Sequence, residues 1–308
     1  MPDTFPLAVS RPLTVEELIE ANPIPVLTVV GERRLHILTV APPEAAVEHS
    51  LAFCERRTVE AALGCRAGIL LVDIEIPTVS DRCFIGVADP RAWFITAIGC
   101  LFPGRVTSGV HASATVSGNA SVGRGVSIGA HSRIGDGVSI GAETTIGDNV
   151  VVHAGTQMGA RCHIQDNASI GGTGLAFHHG VDGQTRFFPH LGRVLIGDDV
   201  TIGANSCIVR GMLNDTVIGA RSKLGNLVNI GHNCTVGSDC FLSSGVVLCG
   251  RVTLEDGVRM AASACVNDHV RIGAGAMIGL GAVVTKAVAP NARVFGVPAE
   301  PLRTMRPF

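Results

Sequence analysis

A six-residue spacing of aliphatic residues runs through most of this 308-residue sequence. Counting from Val110, every sixth position is apolar eleven times in succession. The pattern stops at residues 171–193, resumes for three positions from Ile196 and then shifts by four residues. It holds again for twelve positions from Ile218 to Val284. A repeat of this length decides the architecture, because each unit buries its apolar side only against its neighbours.

The period predicts a parallel β-helix. Six residues fit neither a 3.6-residue helix nor a long alternating strand, but they fit a short strand and a tight corner with one aliphatic side chain pointing inward. Glycine accounts for 38 residues and supplies corner conformations that other residues resist. Three such sides close a coil of about 18 residues, so the hexads predict about nine coils. Stacked at the strand spacing of ~4.8 Å, these coils form a prism roughly 40 Å long.

The repeat divides the sequence into three parts. Residues 1–104 lack the period and predict a small N-terminal α/β domain, with Pro103 and Gly104 at its boundary. Residues 105–287 predict the β-helix. Four prolines within residues 288–308 predict an extended, turn-rich tail.

Helix signals stand near both ends of the N-terminal domain. Thr14 and Glu17 have the spacing of a capping box and predict a short helix. A second helix is expected from Asp89 to Leu101, because Pro90 suits the first turn of a helix. We also expect a helix at 58–63 and buried strands at 69–74 and 83–87.

Composition excludes several classes of partner. The 24 Lys and Arg residues against 26 Asp and Glu give a net charge of -2, so no basic excess is present to bind nucleic acid. The ten cysteines have no close CxxC pairs and are interpreted as reduced thiols. The sequence contains neither a secretory leader pattern nor a membrane-length apolar window. We therefore expect a cytoplasmic protein without stable membrane insertion.

Chemistry is expected where the hexads are interrupted or where polar side chains leave a corner, because the aliphatic wall has none of its own. The interruption at 171–193 carries His178, His179 and His190. A metal centre like that of the γ-class carbonic anhydrases is not expected there or elsewhere, because that class needs an HxxxxH pair and no two histidines are five apart.

A second candidate site is the pair His232 and Gly250. His232 lies two positions past the inward Ile230, so its side chain should face outward or toward a neighbouring subunit. Gly250 follows one coil later, about 5 Å along the axis. A neutral imidazole can take a proton from an amine or hydroxyl, and a backbone N–H can stabilise an oxyanion, as acyl transfer requires. A solvated surface histidine and an ordinary corner glycine fit the same spacing.

The sequence resembles the LpxD family, the UDP-3-O-acylglucosamine N-acyltransferases of lipid A synthesis. The resemblance is carried by the run GRVLIGDDVTIGANSCIVRGMLNDTVIG at 192–219, the NLVNIGHN motif at 226–233, Leu51-Ala52-Phe53, Ala88-Asp89-Pro90 and the ending FGVPAEPLR. It implies a homotrimer of left-handed β-helices with active sites between subunits. It also implies acyl transfer from a thioester to the amino group of a nucleotide-linked sugar, without a covalent enzyme intermediate.

The resemblance assigns roles to matching residues. His232 matches the family's catalytic base and Gly250 its oxyanion-hole glycine. His269 matches a second active-site histidine that helps to hold substrate, and Asn226 matches an asparagine of the same motif. Gly225 stands where the family has aspartate, which removes a carboxylate that would orient or polarise the base.

Other differences concern the nucleotide. Phe53 matches one of the aromatic residues that stack on uracil in the family, whereas Arg56 and Val59 replace the asparagine and tyrosine that follow it. Arg91 replaces the tyrosine of an Asn-Pro-Tyr motif. The resemblance therefore leaves the base open, and the two arginines fit either a phosphate site or a solvated surface.

The acyl donor is also left open. Acyl-CoA and an acyl carrier protein thioester both qualify as co-substrates, and no tightly bound cofactor is expected. The sequence ends at Phe308, near where the family continues into a carrier-binding helix, and its ending GVPAEPLR is similar to that of acetyl-CoA-dependent sugar acetyltransferases. A short acyl group from CoA is therefore favoured. The alternatives are a sugar O-acetyltransferase that uses acetyl-CoA and a non-catalytic β-helix scaffold.

Overall fold

The structure is a computed structural model of the chain, and it divides into two compact units, residues 1–105 and 106–308. Among the described residues, no helix is long and apolar enough to cross a membrane, and every cysteine assigned there is a free thiol. The helix expected at 58–63 lies outside the described residues. Those described are 6–54, 64, 66–74, 82–103, 109–297 and 300–301.

The described residues of the first unit form a six-stranded sheet and include two complete helices. Its strands run in the order β1-β3-β4-β5-β6-β2. The four strands β3 to β6 are parallel, and β1 and β2 are antiparallel edges. The elements are β1 (Leu7–Thr14), α1 (Val15–Ala21), β2 (Thr28–Val30), β3 (His36–Val40), a 3-10 turn (Pro43–Ala45), β4 (Ser50–Phe53), β5 (Ile69–Val72), β6 (Cys83–Gly86) and α2 (Pro90–Leu101).

Both predicted helix starts are present in this unit. The Thr14 side chain accepts a hydrogen bond from the Glu17 N–H, and the Glu17 carboxylate accepts one from the Thr14 N–H at 2.8 Å. Asp89 caps α2 by accepting the Ala92 N–H at 2.9 Å. Strands β5 and β6 match the predicted strands, whereas β1 to β4 were not predicted. Strand β1 lacked a signal because it contains Pro12 and exposes most of its length.

The second unit is a parallel β-helix with three sheet faces. Successive strands of each face follow about one coil apart, as in the parallel pairing of Ile230 with Leu248. Face 1 contains Gly109–Val110, Ser127–Ile128, Thr145–Ile146, His163–Ile164, Thr201–Ile202, Lys223–Leu224, Phe241–Leu242, Arg259–Met260, Met277–Ile278, Arg293–Phe295 and Glu300–Pro301. Face 2 contains Thr115–Val116, Arg133–Ile134, Val151–Val152, Ser169–Gly172, Cys207–Val209, Asn229–Ile230, Val247–Leu248, Cys265–Val266 and Val283–Val284. Face 3 contains Ser121–Val122, Ser139–Ile140, Gln157–Met158, Val194–Ile196, Thr216–Ile218, Thr235–Val236, Thr253–Leu254 and Arg271–Ile272.

The predicted inward residues form the core of the β-helix. Each of them lies in a strand, and from Ile128 onward each is buried. The first coil differs, since Val110 is 51% exposed and Val122 is 37% exposed. Because a coil buries its apolar side against its neighbours, the first coil of this unit lacks the cover that later coils have.

The corners rely less on glycine than the sequence predicted. Many non-glycine corner residues have a positive φ, among them Asn233 at 59°, Arg251 at 59° and His269 at 63°. Each corner N–H is held by the preceding coil: that of Arg251 donates to the His232 carbonyl at 2.8 Å, and that of His269 donates to the Gly250 carbonyl at 3.0 Å. These bonds between coils offset the cost of the left-handed conformation.

Part of the predicted tail continues the β-helix. Residues 288–308 are predicted to form an extended, turn-rich tail beyond the β-helix. Arg293–Phe295 instead pairs in parallel with the preceding strand of face 1, with Met277 opposite Arg293. Its backbone hydrogen bonds explain the difference, because the Met277 and Gly279 N–H groups donate to this segment.

Candidate active site

The two interruptions of the hexad meet at one corner of the β-helix. The first, residues 171–193, forms a two-stranded antiparallel hairpin of Phe177–His179 and Thr185–Phe187; we call residues 171–193 the excursion. The second is the loop 210–215, which carries the four-residue shift. The Leu191 N–H donates to the Met212 carbonyl at 2.6 Å, so backbone hydrogen bonds join the two segments directly.

Charged side chains strengthen this junction. Arg193, at the end of the excursion, binds the Asp215 carboxylate through its backbone N–H at 2.7 Å and through Nη2 at 2.9 Å. The hydrogen bond from Arg193 holds the pKa of Asp215 below its usual value. Arg210 Nε donates to the Gly192 carbonyl at 2.7 Å. The end of the excursion is therefore fixed against the loop 210–215.

His232 lies at this corner with its ring orientation and tautomer defined by Asn233. Asn233 Nδ2 donates to the Asn214 carbonyl at 2.9 Å, and the Met212 N–H donates to Asn233 Oδ1 at 3.1 Å. These partners fix which end of the amide is oxygen. Asn233 Oδ1 lies 3.0 Å from His232 Nδ1, so Nδ1 is the donor. In the neutral ring, Nε2 then carries the lone pair and is free to accept a proton.

Gly250 lies against the Nε2 edge of this imidazole. A Cβ at position 250 would be 2.7 Å from both Cε1 and Nε2 of His232, closer than real Cβ contacts allow. The structure therefore brings the two sequence-predicted residues together, and only glycine leaves the space between them.

The Gly250 N–H is engaged rather than free. It donates to Asp268 Oδ1 at 2.8 Å, one coil further on. The same bond recurs at other corners, for example from the Ser238 N–H to Asp256 Oδ1 at 2.8 Å. Asp268 is exposed. The amide that the sequence assigned to an oxyanion therefore already binds a negatively charged oxygen.

His269 lies one coil beyond Gly250 and is exposed. Arg251 Nη1 approaches its Nε2 at 3.3 Å, and since arginine cannot accept, His269 Nε2 is the acceptor. Arg251 also reaches the Met212 sulfur at 4.0 Å. His269 thus belongs to the same stretch of corner as His232, next to a guanidinium that sequence reasoning did not single out.

Asn226 is placed at a different corner. It lies between faces 1 and 2, whereas His232 lies between faces 2 and 3, and the strand Asn229–Ile230 separates the two corners. Asn226 is exposed, and its Oδ1 accepts the Ala204 N–H at 3.0 Å. A single chain therefore does not bring Asn226 to His232.

In the first unit, Phe53 and Arg91 lie together. The Phe53 ring packs against Phe94 with centroids 4.9 Å apart, and Arg91 Cζ lies 5.8 Å from the Phe53 centroid. The contact has the geometry of a cation–π interaction. Arg56, the other predicted binding residue of this unit, lies outside the described residues.

His190 joins the site from the excursion. Its ring centroid lies 5.8 Å from that of His232, with the planes at 76°. Burial is the main cause that lowers the pKa of His190, followed by the charge of His232. Within the described part of the chain, no three His, Cys, Asp or Glu side chains are grouped to hold a metal ion.

Besides Arg251, sequence reasoning missed two residues at this corner and did not place a third. Asp268 follows Gly250 by the same 18-residue step that relates Gly250 to His232, so the repeat could have predicted its position. Asn233 directly follows His232 and suits a left-handed corner, which was a weaker signal. His190 was noted within the excursion, but its position depends on hydrogen bonds that no local pattern indicates.

Replacing Asn233 by glycine is expected to lower kcat about 10-fold to 100-fold, because His232 loses the partner that fixes its tautomer. Glycine keeps the positive φ of this corner, so the fold should persist. Steady-state kinetics and nitrogen-15 NMR of His232 measure the two effects. Asn149→Gly, at a corner with φ 55°, is the matched control. Unchanged kcat with an unchanged imidazole spectrum would contradict the assignment.

Two models of hexapeptide repeats match the second unit. One, described as bacterial transferase hexapeptide (six repeats), matches residues 215–250. The other, described as hexapeptide repeat of succinyl-transferase, matches residues 119–160, 137–171 and 193–226. The second unit is a hexapeptide-repeat β-helix. The predicted fold class, a β-helix with a small N-terminal α/β region, is confirmed.

The hexapeptide-repeat chain is similar to curated N-acyltransferases. It is 44% identical over 144 residues to the UDP-3-O-acylglucosamine N-acyltransferase of Methylorubrum populi, a match that covers 47% of this chain and 41% of that protein. It is 37% identical over 145 residues to the probable mitochondrial UDP-3-O-acylglucosamine N-acyltransferase 2 of Arabidopsis thaliana, covering 47% and 48%. The predicted resemblance to the LpxD family is confirmed, and the match spans less than half the length of these relatives.

The chain is also similar in structure to solved acyltransferases. The UDP-N-acetylglucosamine acyltransferase of Francisella novicida is 28% identical with a TM-score of 0.58, covering 63% of this chain and 70% of that one. The UDP-N-acetylglucosamine O-acyltransferase of Moraxella catarrhalis is 26% identical with a TM-score of 0.57, covering 63% and 73%. Both relatives are named as acyltransferases of nucleotide-linked sugars.

Proposed function

We propose that this protein transfers an acyl group from a thioester to the amino group of a nucleotide-linked sugar. The observation that carries the proposal is the contact between His232 and Gly250. The tautomer of His232 leaves the lone pair on Nε2, and Nε2 lies against a residue without a side chain. The space beside Nε2 suits a nucleophile that must lose a proton as it attacks. The curated relatives support the same class of reaction.

The reaction proceeds by direct attack in a ternary complex. The amine lone pair forms the new C–N bond at the thioester carbonyl, and its proton passes to His232 Nε2. The tetrahedral intermediate collapses by breaking the C–S bond. The thiolate takes the proton from His232, so the products are an amide and a free thiol, and the imidazole returns to its starting state. No bond to an enzyme side chain forms.

Gly250 is proposed to stabilise the oxyanion through its N–H. That role requires the Asp268 carboxylate to leave, since it binds the same N–H. In the tetrahedral intermediate one negatively charged oxygen has replaced another, so the amide again makes a charge-assisted hydrogen bond. Asp268 is exposed and can rotate into water, which limits the cost of the exchange.

Two further groups of residues are proposed to contact the substrates. A homotrimer would supply Asn226 from a neighbouring chain, which its exposed position at a different corner favours. His269 is proposed to hold the acceptor beside His232. In the first unit, Phe53, Arg91 and Arg56 are proposed to bind the nucleotide, with the arginines as partners for phosphate. The thioester is acyl-CoA or acyl carrier protein.

The test is a direct assay of acyl transfer by the purified chain. Nucleotide-linked and free amino sugars are paired with CoA thioesters of short and long acyl groups and with acylated carrier protein. Thiol release is followed by absorbance, and the product is identified by mass spectrometry. We expect an amide with stoichiometric thiol. Transfer only to hydroxyl groups would favour an O-acyltransferase, and no transfer to any acceptor would overturn the proposal in favour of a scaffold.

A further inference from the structure

Among the described residues, His190 Nε2 is the one buried side-chain nitrogen or oxygen atom without a hydrogen-bond partner. The residue is only 8% exposed, and its Nε2 is inaccessible to solvent. Buried polar groups in folded proteins are nearly always paired, so an orphaned acceptor beside a candidate catalytic base calls for a ligand. The mechanism above makes no use of it.

The hydrogen bonds of His190 define what Nε2 can do. Nδ1 lies 3.1 Å from the Phe188 carbonyl oxygen, which can only accept, so Nδ1 carries the hydrogen. Nε2 of the neutral ring is then an acceptor. Burial lowers the pKa of His190, positive charge on His232 and Arg210 acts in the same direction, and the hydrogen bond to Phe188 acts against it. The net shift favours the neutral ring, whose Nε2 acceptor is unpaired.

When both rings are neutral, the site contains two acceptors of the same kind. His190 and His232 each have Nδ1 engaged as a donor, to Phe188 and Asn233, and each has an Nε2 lone pair. Their ring centroids are 5.8 Å apart. Two acceptors that bind both hydrogens of one amino group at about 2.9 Å lie roughly 4.7 Å apart, a distance of the same order as the separation of the two ring centroids.

This arrangement distinguishes an amine from a hydroxyl. A neutral amino group has two hydrogens and one lone pair, so two acceptors hold both hydrogens and direct the lone pair at the thioester. A hydroxyl has a single hydrogen and leaves one acceptor unpaired. We propose that His190 is a specificity-determining residue that binds the second N–H of the acceptor amine and so selects amines over hydroxyls, an inference that rests on the proposed function.

Access to His190 depends on the start of the excursion. Gly174 lies against Nε2, where a Cβ would be 3.3 Å away. Residues 173–176 have no regular secondary structure, and Leu175 is exposed. The inference requires residues 173–175 to shift outward so that Nε2 meets the acceptor. The Phe188 N–H can keep its bond to the Ala176 carbonyl, and Leu191 and Gly192 can stay bonded to Met212.

The experiment compares two variants on two ligands. His190→Phe fills the volume but removes the acceptor, and His190→Gln retains an acceptor oxygen. The ligands are the amine acceptor, measured by kcat/KM, and its analogue with a hydroxyl at the same carbon, measured by its inhibition constant. His178→Phe, an exposed histidine of the same excursion, is the matched control. Melting temperatures check the fold of each variant.

We expect His190→Phe to lower kcat/KM for the amine by about 10-fold to 100-fold, with the inhibition constant of the hydroxyl analogue changed less than about 3-fold. His190→Gln should recover part of the loss. Equal weakening of both ligands would overturn this inference and leave the acyltransferase intact. Absence of turnover by the wild-type chain on every amine would overturn the proposed function, and this inference with it.

Discussion

Replacing His232 by alanine is expected to lower kcat for acyl transfer by about 10²-fold to 10⁴-fold, which is the usual contribution of a general base. The reason is chemical: without the His232 imidazole, the attacking amine loses the proposed acceptor of its proton. Single-turnover kinetics with saturating donor separate this loss in chemistry from any change in binding.

The fold should tolerate this change, because His232 is only partly buried and its backbone is held by the corner. His163→Ala is the control, since His163 is an exposed strand residue on face 1, away from this corner. Wild-type rates for the His232 variant on every acceptor would remove the main support for an enzyme. Loss of activity in both variants would point to a general effect on the β-helix.

Replacing Gly250 by alanine is expected to lower kcat by about 10²-fold to 10³-fold with little loss of stability. The added Cβ would lie 2.7 Å from Nε2 of His232 and 3.0 Å from Asp268 Oδ1, so it occupies the space of the attacking group. Gly250 does not have a positive φ, so alanine can adopt its backbone conformation. Kinetics and thermal unfolding together test the expectation.

Gly118→Ala provides a matched control at an equivalent corner between faces 2 and 3. A Cβ at Gly118 would meet no described atom within 4 Å, and its φ is not positive. Activity near wild type is expected for this variant. If Gly250→Ala were equally active, the imidazole and the glycine would not share a reaction site.

The hexad pattern predicted the β-helix because its information is local and repeated. One aliphatic residue in six is enough to place each strand of the hexads, since each of these strands pairs with the next coil in the same register. The exposure of Val110 and Val122 was not predicted, because periodicity does not mark which coil ends the stack. Left-handed corners at Arg251 and His269 were missed since the bonds that stabilise them come from the neighbouring coil.

The site was predictable to the extent that it follows the period. The contact of His232 with Gly250 follows from their separation by one coil, and the position of Asp268 follows by the same rule. His190 does not follow from it, because the excursion leaves the repeat and returns along a path set by its bonds to residues 210–215. Asn226 shows that nearness in sequence is not enough, because it lies close to His232 in the sequence but at a different corner of the β-helix.

Translational symmetry gives the two interruptions a further meaning. In an uninterrupted stack, a histidine and a glycine moved together by one coil would keep their mutual geometry. The repeat alone therefore does not determine at which coil a reaction site forms. The excursion and the loop 210–215 break that equivalence at a single level, where they are tied to each other through Arg193 and Asp215. New catalysts on this scaffold could therefore be made by transplanting the paired insertions to another level, rather than by redesigning the wall.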